Sequence, residues 1–280
     1  MIFTVPKTLE ELQSALANRS ERFVFAAGCT DILPKKLGKP WEVDEIIDLT
    51  HVPQLQAMGV GPQTGDYFIG ACCTHAQVAA DPEVRRHYTA LAQACEQIGS
   101  VQIRNRGTIG GNVANGSPAA DTLPCLMALG AEIEWIDGVC IKGFWLPAAQ
   151  TPSAGSGTVV SAFAKLGDRD IVTIARISLA VRSVLRGGRY TNTSVVVGAA
   201  SLQPFFCDEA AAVLDGSQPG EVDREAFAGA LANAIEASIP NRPTMPYKRS
   251  AVRGPAFVVL LKLASFFALN CASIYSTLIR

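Results

Sequence analysis

Between Pro82 and Gly99 the apolar residues Val84, Tyr88, Leu91, Ala92, Cys95 and Ile98 fall at helical spacing, and Gly99 offers a C-terminal stop. That rhythm predicts one helix. Shorter apolar runs bounded by glycine, proline or charge read as strands: RFVFAAG, DEIIDL, DYFIGAC and AEIEWI. Near the start, Thr8 in KTLEEL can cap a helix and Glu11 can complete a capping box. Asp121 stands where an N-cap belongs, ahead of TLPCLMALG, and Gly130 closes that helix. The first half of the chain thus alternates strands and helices, as mixed α/β structure does.

After Asp137 the rhythm fades, and GVCIKGFWLPAAQTPSAGSG reads as a surface connection rich in turn residues. Strand patterns resume in TVVSAFAKL, IVTIARISLAVRSV and TSVVVGAAS with no helix between them, which favours an antiparallel sheet. Helical segments follow around DEAAAVL and DREAFAGALANAIEAS. The last apolar stretch, GPAFVVLLKLASFFALNCASIY, approaches membrane-spanning length but carries Lys262 inside it, so it is expected to be a long buried helix. The change of pattern places a domain boundary near Gly155, giving segments 1–154 and 155–280.

Composition narrows the function. The 280 residues carry a formal net charge of -1 and no long Lys/Arg run, so no nucleic-acid partner is expected. The start, MIFTVPKTLEEL, lacks a basic region followed by an apolar core; no signal peptide and a cytoplasmic location are expected. None of the eight cysteines forms a C-x-x-C pair or a spacing suited to zinc or iron–sulfur ligands, which points to reduced, mostly buried thiols and no metal site. His51, His75 and His87 likewise have no partners at metal-ligand spacing.

Two glycine-containing loops remain, FAAGCTDILP and TIGGNVANGSPAAD. In each, small residues are followed by hydroxyl or amide side chains and then an Asp, a set that can present backbone N–H groups and polar side chains to an oxygen-rich ligand such as a diphosphate. The alternative is a pair of tight turns that let strands and helices pack closely. Neither loop has G-x-G-x-x-G or a G-K-[ST] ending, and GVGPQTG has Pro62 where a helix should open. A Rossmann nicotinamide site and a P-loop are therefore disfavoured.

AAGCTDILP and TIGGNVANGSPAADTLP resemble the two flavin-binding signatures of the FAD subunits of molybdenum-containing hydroxylases, the xanthine dehydrogenase and carbon monoxide dehydrogenase group. FIGACCTHAQVAADPEV and SAFAKLGDRDIVTIARISLAV are similar to further segments of that family. The resemblance implies an α+β chain: an FAD-binding domain of the vanillyl-alcohol-oxidase-like (PCMH) type, with two lobes split near 50–60, then a smaller domain of antiparallel sheet and helices. It implies that Ala27, Gly28, Cys29, Thr30 and Asp31 wrap the FAD diphosphate. Thr108, Gly110, Gly111 and Asn112 would supply the second set of contacts, with their amides facing the cofactor, and Ser117 and Asp121 would approach the ribityl and diphosphate region. Cys29 stands where the family usually has glycine, and the connection from Gly138 to Val160 and the segment near SLQPFFCDEA are short for the family.

On this resemblance no catalytic side chain is needed, because the cofactor carries the chemistry. FAD would take electrons from iron–sulfur clusters and pass them to NAD+ or another acceptor, with the clusters and molybdopterin on partner subunits of a hetero-oligomer. The molybdenum subunit would select the substrate, a purine, another aromatic heterocycle, an aldehyde or carbon monoxide. A self-contained flavin oxidoreductase and a scaffold subunit that has lost FAD are the alternatives. Lys165 and Arg169 either approach the flavin or serve domain packing, and YKRSAVRG either docks a partner or opens an exposed helix.

Overall fold

The computed structural model describes residues 1–62, 64–148, 157–169 and 172–278, with side chains described through Phe266. The chain opens with β1 (Ile2–Thr4), α1 (Leu9–Ala17), β2 (Phe23–Ala26), α2 (Ile32–Lys36) and β3 (Glu45–Asp48). The three strands form a parallel sheet in the order β1-β3-β2. Leu12 and Leu16, one helical turn apart, seat α1 in a core with Ile47 and Leu55. Thr8 caps α1 by accepting the Glu11 N–H at 3.1 Å. The Glu11 carboxylate accepts from the N–H of Lys7 at 2.7 Å, one residue before the cap, so the expected box is offset.

A second sheet is antiparallel, built from β4 (Met58–Val60), β5 (Tyr67–Gly70), β6 (Glu132–Ile136) and β7 (Cys140–Leu146) in the order β4-β5-β7-β6. Between β5 and β6 the chain forms α3 (His75–Ala80), α4 (Pro82–His87), α5 (Thr89–Glu96), α6 (Val101–Arg104), α7 (Ile109–Asn115) and α8 (Thr122–Leu129). Val78, Leu91, Ile109 and Leu126 from these helices meet Ile69, Phe144 and Leu146 from the sheet in one core.

Three expectations need correction here. The single helix over 82–99 is two helices, broken at Tyr88 (φ -124, ψ 46), which is buried and whose hydroxyl donates to the Pro147 carbonyl at 2.9 Å. A tertiary hydrogen bond overrides the helical period, and Gly99, with φ +45, lies in the turn beyond α5. The segment after Asp137 holds β7 inside the sheet; Cys140, Phe144 and Leu146 point inward, while Lys142 breaks the alternation and pairs with Glu134 at 2.7 Å. The glycine-rich second loop contains α7, with Thr108 as its N-cap and Gly116 (φ 59) as its C-cap. Gly155, where a boundary was expected, lies outside the described residues.

The C-terminal sheet runs β11-β10-β9-β8, antiparallel as expected, from β8 (Thr158–Leu166), β9 (Ile177–Arg186), β10 (Arg189–Gly198) and β11 (Phe205–Phe206). Its strands are apolar on both faces because both are covered. Val160, Ala162, Leu179, Val181, Val195 and Val197 face one core; Phe163, Ala180 and Val196 face the core of the second sheet. The first of these cores is completed by α9 (Asp208–Leu214), α10 (Arg224–Ser238), α11 (Met245–Ala251) and α12 (Arg253–Leu278). Through Phe266, α12 buries Ala256, Val259, Leu260 and Leu263 but exposes Phe257, Val258 and Leu261, so that part is half-buried rather than buried; the rest of the expected buried stretch lies outside the described side chains. Lys262 satisfies its charge inward, donating to the Phe163 carbonyl at 2.6 Å and to Gln93 Oε1 at 3.3 Å. Among the described residues no helix is long and apolar enough to cross a membrane.

Candidate functional site

The two glycine loops meet. β2 delivers Ala27 to Asp31, and a Cβ built on Gly28 would fall 2.0 Å from the Arg106 carbonyl oxygen and 2.9 Å from Gly107 Cα. Only glycine permits that approach. Gly107 in turn lies against Thr30, whose Oγ1 would be 3.2 Å from a Cβ placed there. Farther along, the Lys35 ammonium on α2 pairs with Asp31 and donates to Asn115 Oδ1 on α7 at 2.9 Å. The (i, i+4) pair Asp31–Lys35 is visible in sequence; its link to Asn115 has no sequence signal.

In the first loop, Cys29 has φ 58, the left-handed region that glycine occupies without strain. Among the described residues no protein acceptor meets the N–H groups of Gly28, Thr30 or Asp31, and Asp31 precedes α2 without a side-chain cap bond. These are donors available to an anionic ligand. Burial pushes the half-buried Cys29 thiol up, with Asp48 adding to the effect, so the thiol stays protonated at neutral pH.

The second loop is built differently. The Ile109 N–H donates to Cys73, the Gly110 N–H to Ala71, the Gly111 N–H to Thr108 Oγ1 and the Asn112 N–H to the Thr108 carbonyl. The amides expected to face a cofactor are therefore spent on protein. Gly110 is required by packing, since a Cβ there would lie 2.5 Å from that of Ala71, whereas Gly111 is exposed and would meet only Thr108 Oγ1. This loop offers side chains instead. Asn112 Oδ1 accepts from the Thr122 hydroxyl at 2.6 Å, and Ser117 Oγ accepts from the Ala119 N–H at 3.3 Å. Beside it the Pro118 carbonyl accepts from Ala199 at the end of β10.

Asp121 immediately precedes α8 as expected, but in helical conformation and with no cap bond. Its buried carboxylate is drawn away to Lys165 on β8, 2.7 Å from Oδ2. Burial pushes the Asp121 carboxyl up to about 6, with Lys165 opposing. Oδ1 meets no hydrogen-bond partner among the described residues, and an atom so buried normally has one. Lys165 is thus a packing residue that touches the site, while Arg169 is exposed and donates to the Val172 carbonyl. Nearby, buried His75 is pushed down to about 4 by desolvation with Arg104 adding to it, and its Nδ1 lies 3.8 Å from Cys95 Sγ.

Free amides on one loop and hydroxyl and amide side chains on the other suit a ligand rich in phosphate and hydroxyl oxygens. Among the described residues no group of three His, Cys, Asp or Glu side chains can hold a metal ion.

Comparison with known proteins gives this geometry a family. The nicotinate dehydrogenase FAD-subunit of Eubacterium barkeri is 30% identical, covering 90% of this chain and 92% of its own. The carbon monoxide dehydrogenase medium chain of Afipia carboxidovorans is 28% identical over 83% of this chain and 85% of its own. Two solved structures share the fold. One is carbon monoxide dehydrogenase from Hydrogenophaga pseudoflava lacking the Mo-pyranopterin moiety, with TM-score 0.78, 22% identity, and coverage of 95% of this chain and 97% of that one. The other is quinoline 2-oxidoreductase from Pseudomonas putida 86, with TM-score 0.78 and 20% identity over the same shares. Residues 1–146 match the family described as FAD binding domain in molybdopterin dehydrogenase, and the chain belongs to that family.

Proposed function

We propose that this chain is the FAD-carrying electron-transfer subunit of a molybdenum hydroxylase, accepting electrons from iron–sulfur clusters in a partner subunit and passing them to NAD+ or another acceptor. The observation that carries the reading is the meeting of the two loops, Gly28 packed against Arg106 and Gly107 and Lys35 bonded to Asn115. The free N–H groups at Gly28, Thr30 and Asp31 would hold the diphosphate together with Ala27 and Cys29. Thr108, Gly110, Gly111 and Asn112 would form the second wall, with Gly110 setting the approach of the chains and Asn112 and Ser117 offering side-chain contacts. Asp121 would accept from a hydroxyl of the cofactor. FAD, when bound, supplies stepwise electron acceptance and onward transfer.

In this reading residues 1–154 are the vanillyl-alcohol-oxidase-like (PCMH) domain, with lobes divided near 50–60, and 155–280 the smaller domain that grips the second loop through Lys165 and Ala199. The assembly works in the cytoplasm, with an iron–sulfur subunit and a molybdopterin subunit as partners. An absorbance spectrum of the chain purified from its native source, with the released cofactor identified by mass, tests the proposal. Stoichiometric FAD and two co-purifying subunits are expected. A chain free of flavin in its native assembly, and still free after incubation with FAD, overturns it.

A further inference from the structure

The first loop passes directly into α2, and none of the residues of α2 is buried. Leu33 within it and Leu37 just after it stay exposed. The backbone bonds around it are local: the N–H groups of Leu33, Lys35 and Leu37 donate to the carbonyls of Cys29, Asp31 and Pro34 at 3.3, 3.3 and 3.4 Å. Five residues are too few to hold a helix by themselves. The loop that carries the free N–H groups of Gly28, Thr30 and Asp31 therefore takes its position from its two ends. At the β2 end, Gly28 packs against Arg106 and Gly107. At the α2 end, the Lys35 ammonium pairs with Asp31 and donates to Asn115 Oδ1 at 2.9 Å, which ties α2 to the last residue of α7.

We infer that Lys35 is a positioning residue for the cofactor site: by bridging Asp31 and Asn115, its ammonium straps α2 to α7 and keeps the two loops closed on the FAD diphosphate. The inference rests on the FAD reading above and deepens it. Asp31 lies one helical turn before Lys35 and Asn115 lies 80 positions after it, so one ammonium gathers both loops. Lys35, Asp31 and Asn115 are all exposed. A charged contact in water is weak and screened by salt, so it breaks and re-forms readily. That suits a strap, which opens for FAD to enter or leave and closes behind it.

A strap leaves a signature that a lone cation does not. It acts through both of its ends, so removing either end, or both, loses the same tie. A lysine that touched the diphosphate directly would act without Asn115. Asn115→Ala also keeps the Asp31–Lys35 pair, which separates the bridge from that pair, and alanine is a good helix former at the end of α7.

The test is the rate of FAD release from the full chain, purified with the subunits that accompany it and followed by the rise in flavin fluorescence on dilution. Lys35→Met and Asn115→Ala are each expected to speed release by about two- to fivefold at low salt. The double variant should release no faster than either single one, and the gap from wild type should close as salt rises from about 50 to 500 mM. Lys35→Arg, which keeps the charge and the donors, should return release toward the wild-type rate. Asn115→Ala with the wild-type rate overturns the inference, and a Lys35→Met effect that persists beside it makes the lysine a direct phosphate contact instead. Single effects that multiply in the double variant overturn it too. A wild-type assembly that takes up no FAD overturns the proposed function as well; one that binds FAD while Asn115→Ala changes nothing overturns the inference alone.

Discussion

The two loops that meet at the site solve the same problem with opposite means. The first, from Ala27 to Asp31, leaves backbone N–H groups unspent and bends through a left-handed Cys29. The second, from Thr108 to Asp121, spends its amides on Cys73, Ala71 and Thr108, folds Gly110 and Gly111 into α7 and ties its polar side chains to Thr122, Ala119 and Lys165. Glycine therefore means different things in the two. Gly28 and Gly110 are there because another chain segment is too close for a side chain, and Gly111 because a surface is left open. In the proposed site the first loop would bind with its backbone, and its shape must be held from outside; the second is held by its own hydrogen bonds and would bind with its side chains.

The largest effects should separate these roles. Gly28→Ala puts a methyl 2.0 Å from the Arg106 carbonyl, and Gly110→Ala puts one 2.5 Å from Ala71 Cβ, with backbone also in the way in both cases. Backbone cannot swing aside as a side chain can, so each is expected to cost about 3 kcal/mol or more in urea unfolding, with or without flavin. Gly111→Ala meets only the Thr108 hydroxyl and gains helix propensity. Its stability should stay within about 1 kcal/mol of wild type, and its loss should show in FAD affinity. If Gly111→Ala unfolds the chain, or Gly110→Ala is stable and merely binds FAD less well, the division between packing and open glycines is wrong.

A second contrast lies in charge. Buried Asp121 titrates near 6 in the folded chain against 3.8 unfolded, so between those values the folded state holds the extra proton and stability falls as pH rises. Buried His75 titrates near 4 against 6.5 unfolded, so across that range the unfolded state holds the extra proton and stability rises with pH. Each contribution is on the order of 3 kcal/mol, and they oppose. Flavin-free wild type is therefore expected to show a nearly flat urea stability between about pH 4.5 and 6.5. Glu45, held low by the Thr4 hydroxyl and the Ser20 amide, titrates below that window. Asp121→Asn should uncover the His75 slope and lose stability on acidification; His75→Gln should gain it. Parallel profiles for the two variants would remove both groups from the account.

How much of this was legible follows from distance along the chain. Gly28, Cys29 and Asp31, or Gly110, Gly111 and Asn112, sit in short continuous motifs, and the caps at Thr8 and Thr108 bond three residues away. Such features are written locally. Lys165 reaches Asp121 across 44 positions and Lys35 reaches Asn115 across 80, and neither leaves a local trace. Tyr88 broke a helix that its period promised because its hydroxyl answers to Pro147, 59 positions on. β7 was read as a connection because its inward residues are interrupted by Lys142, whose partner Glu134 lies on the neighbouring strand. The spending of the second loop's amides was hidden for the same reason, since two of their acceptors, Ala71 and Cys73, stand before α3.

The smallest effect bears on the first loop, which lacks internal support. Holding a residue with a Cβ at φ 58 costs about 1 to 2 kcal/mol relative to glycine, which adopts that conformation freely. Glycine returns part of that through the greater freedom of its unfolded chain, about 0.4 to 1 kcal/mol. Cys29→Gly should thus stabilise the flavin-free chain by about 0.5 to 1 kcal/mol in urea unfolding, set by the difference of these two terms. Because the loop's donors are carried by the same backbone, relieving the strain also lets Gly28, Thr30 and Asp31 keep their arrangement without a ligand, and FAD should bind as tightly or slightly more tightly. A Cys29→Gly chain that is less stable and binds FAD poorly would mean that the half-buried thiol, not the backbone around it, shapes this wall of the site, and the two loops would then differ less than their hydrogen bonds suggest.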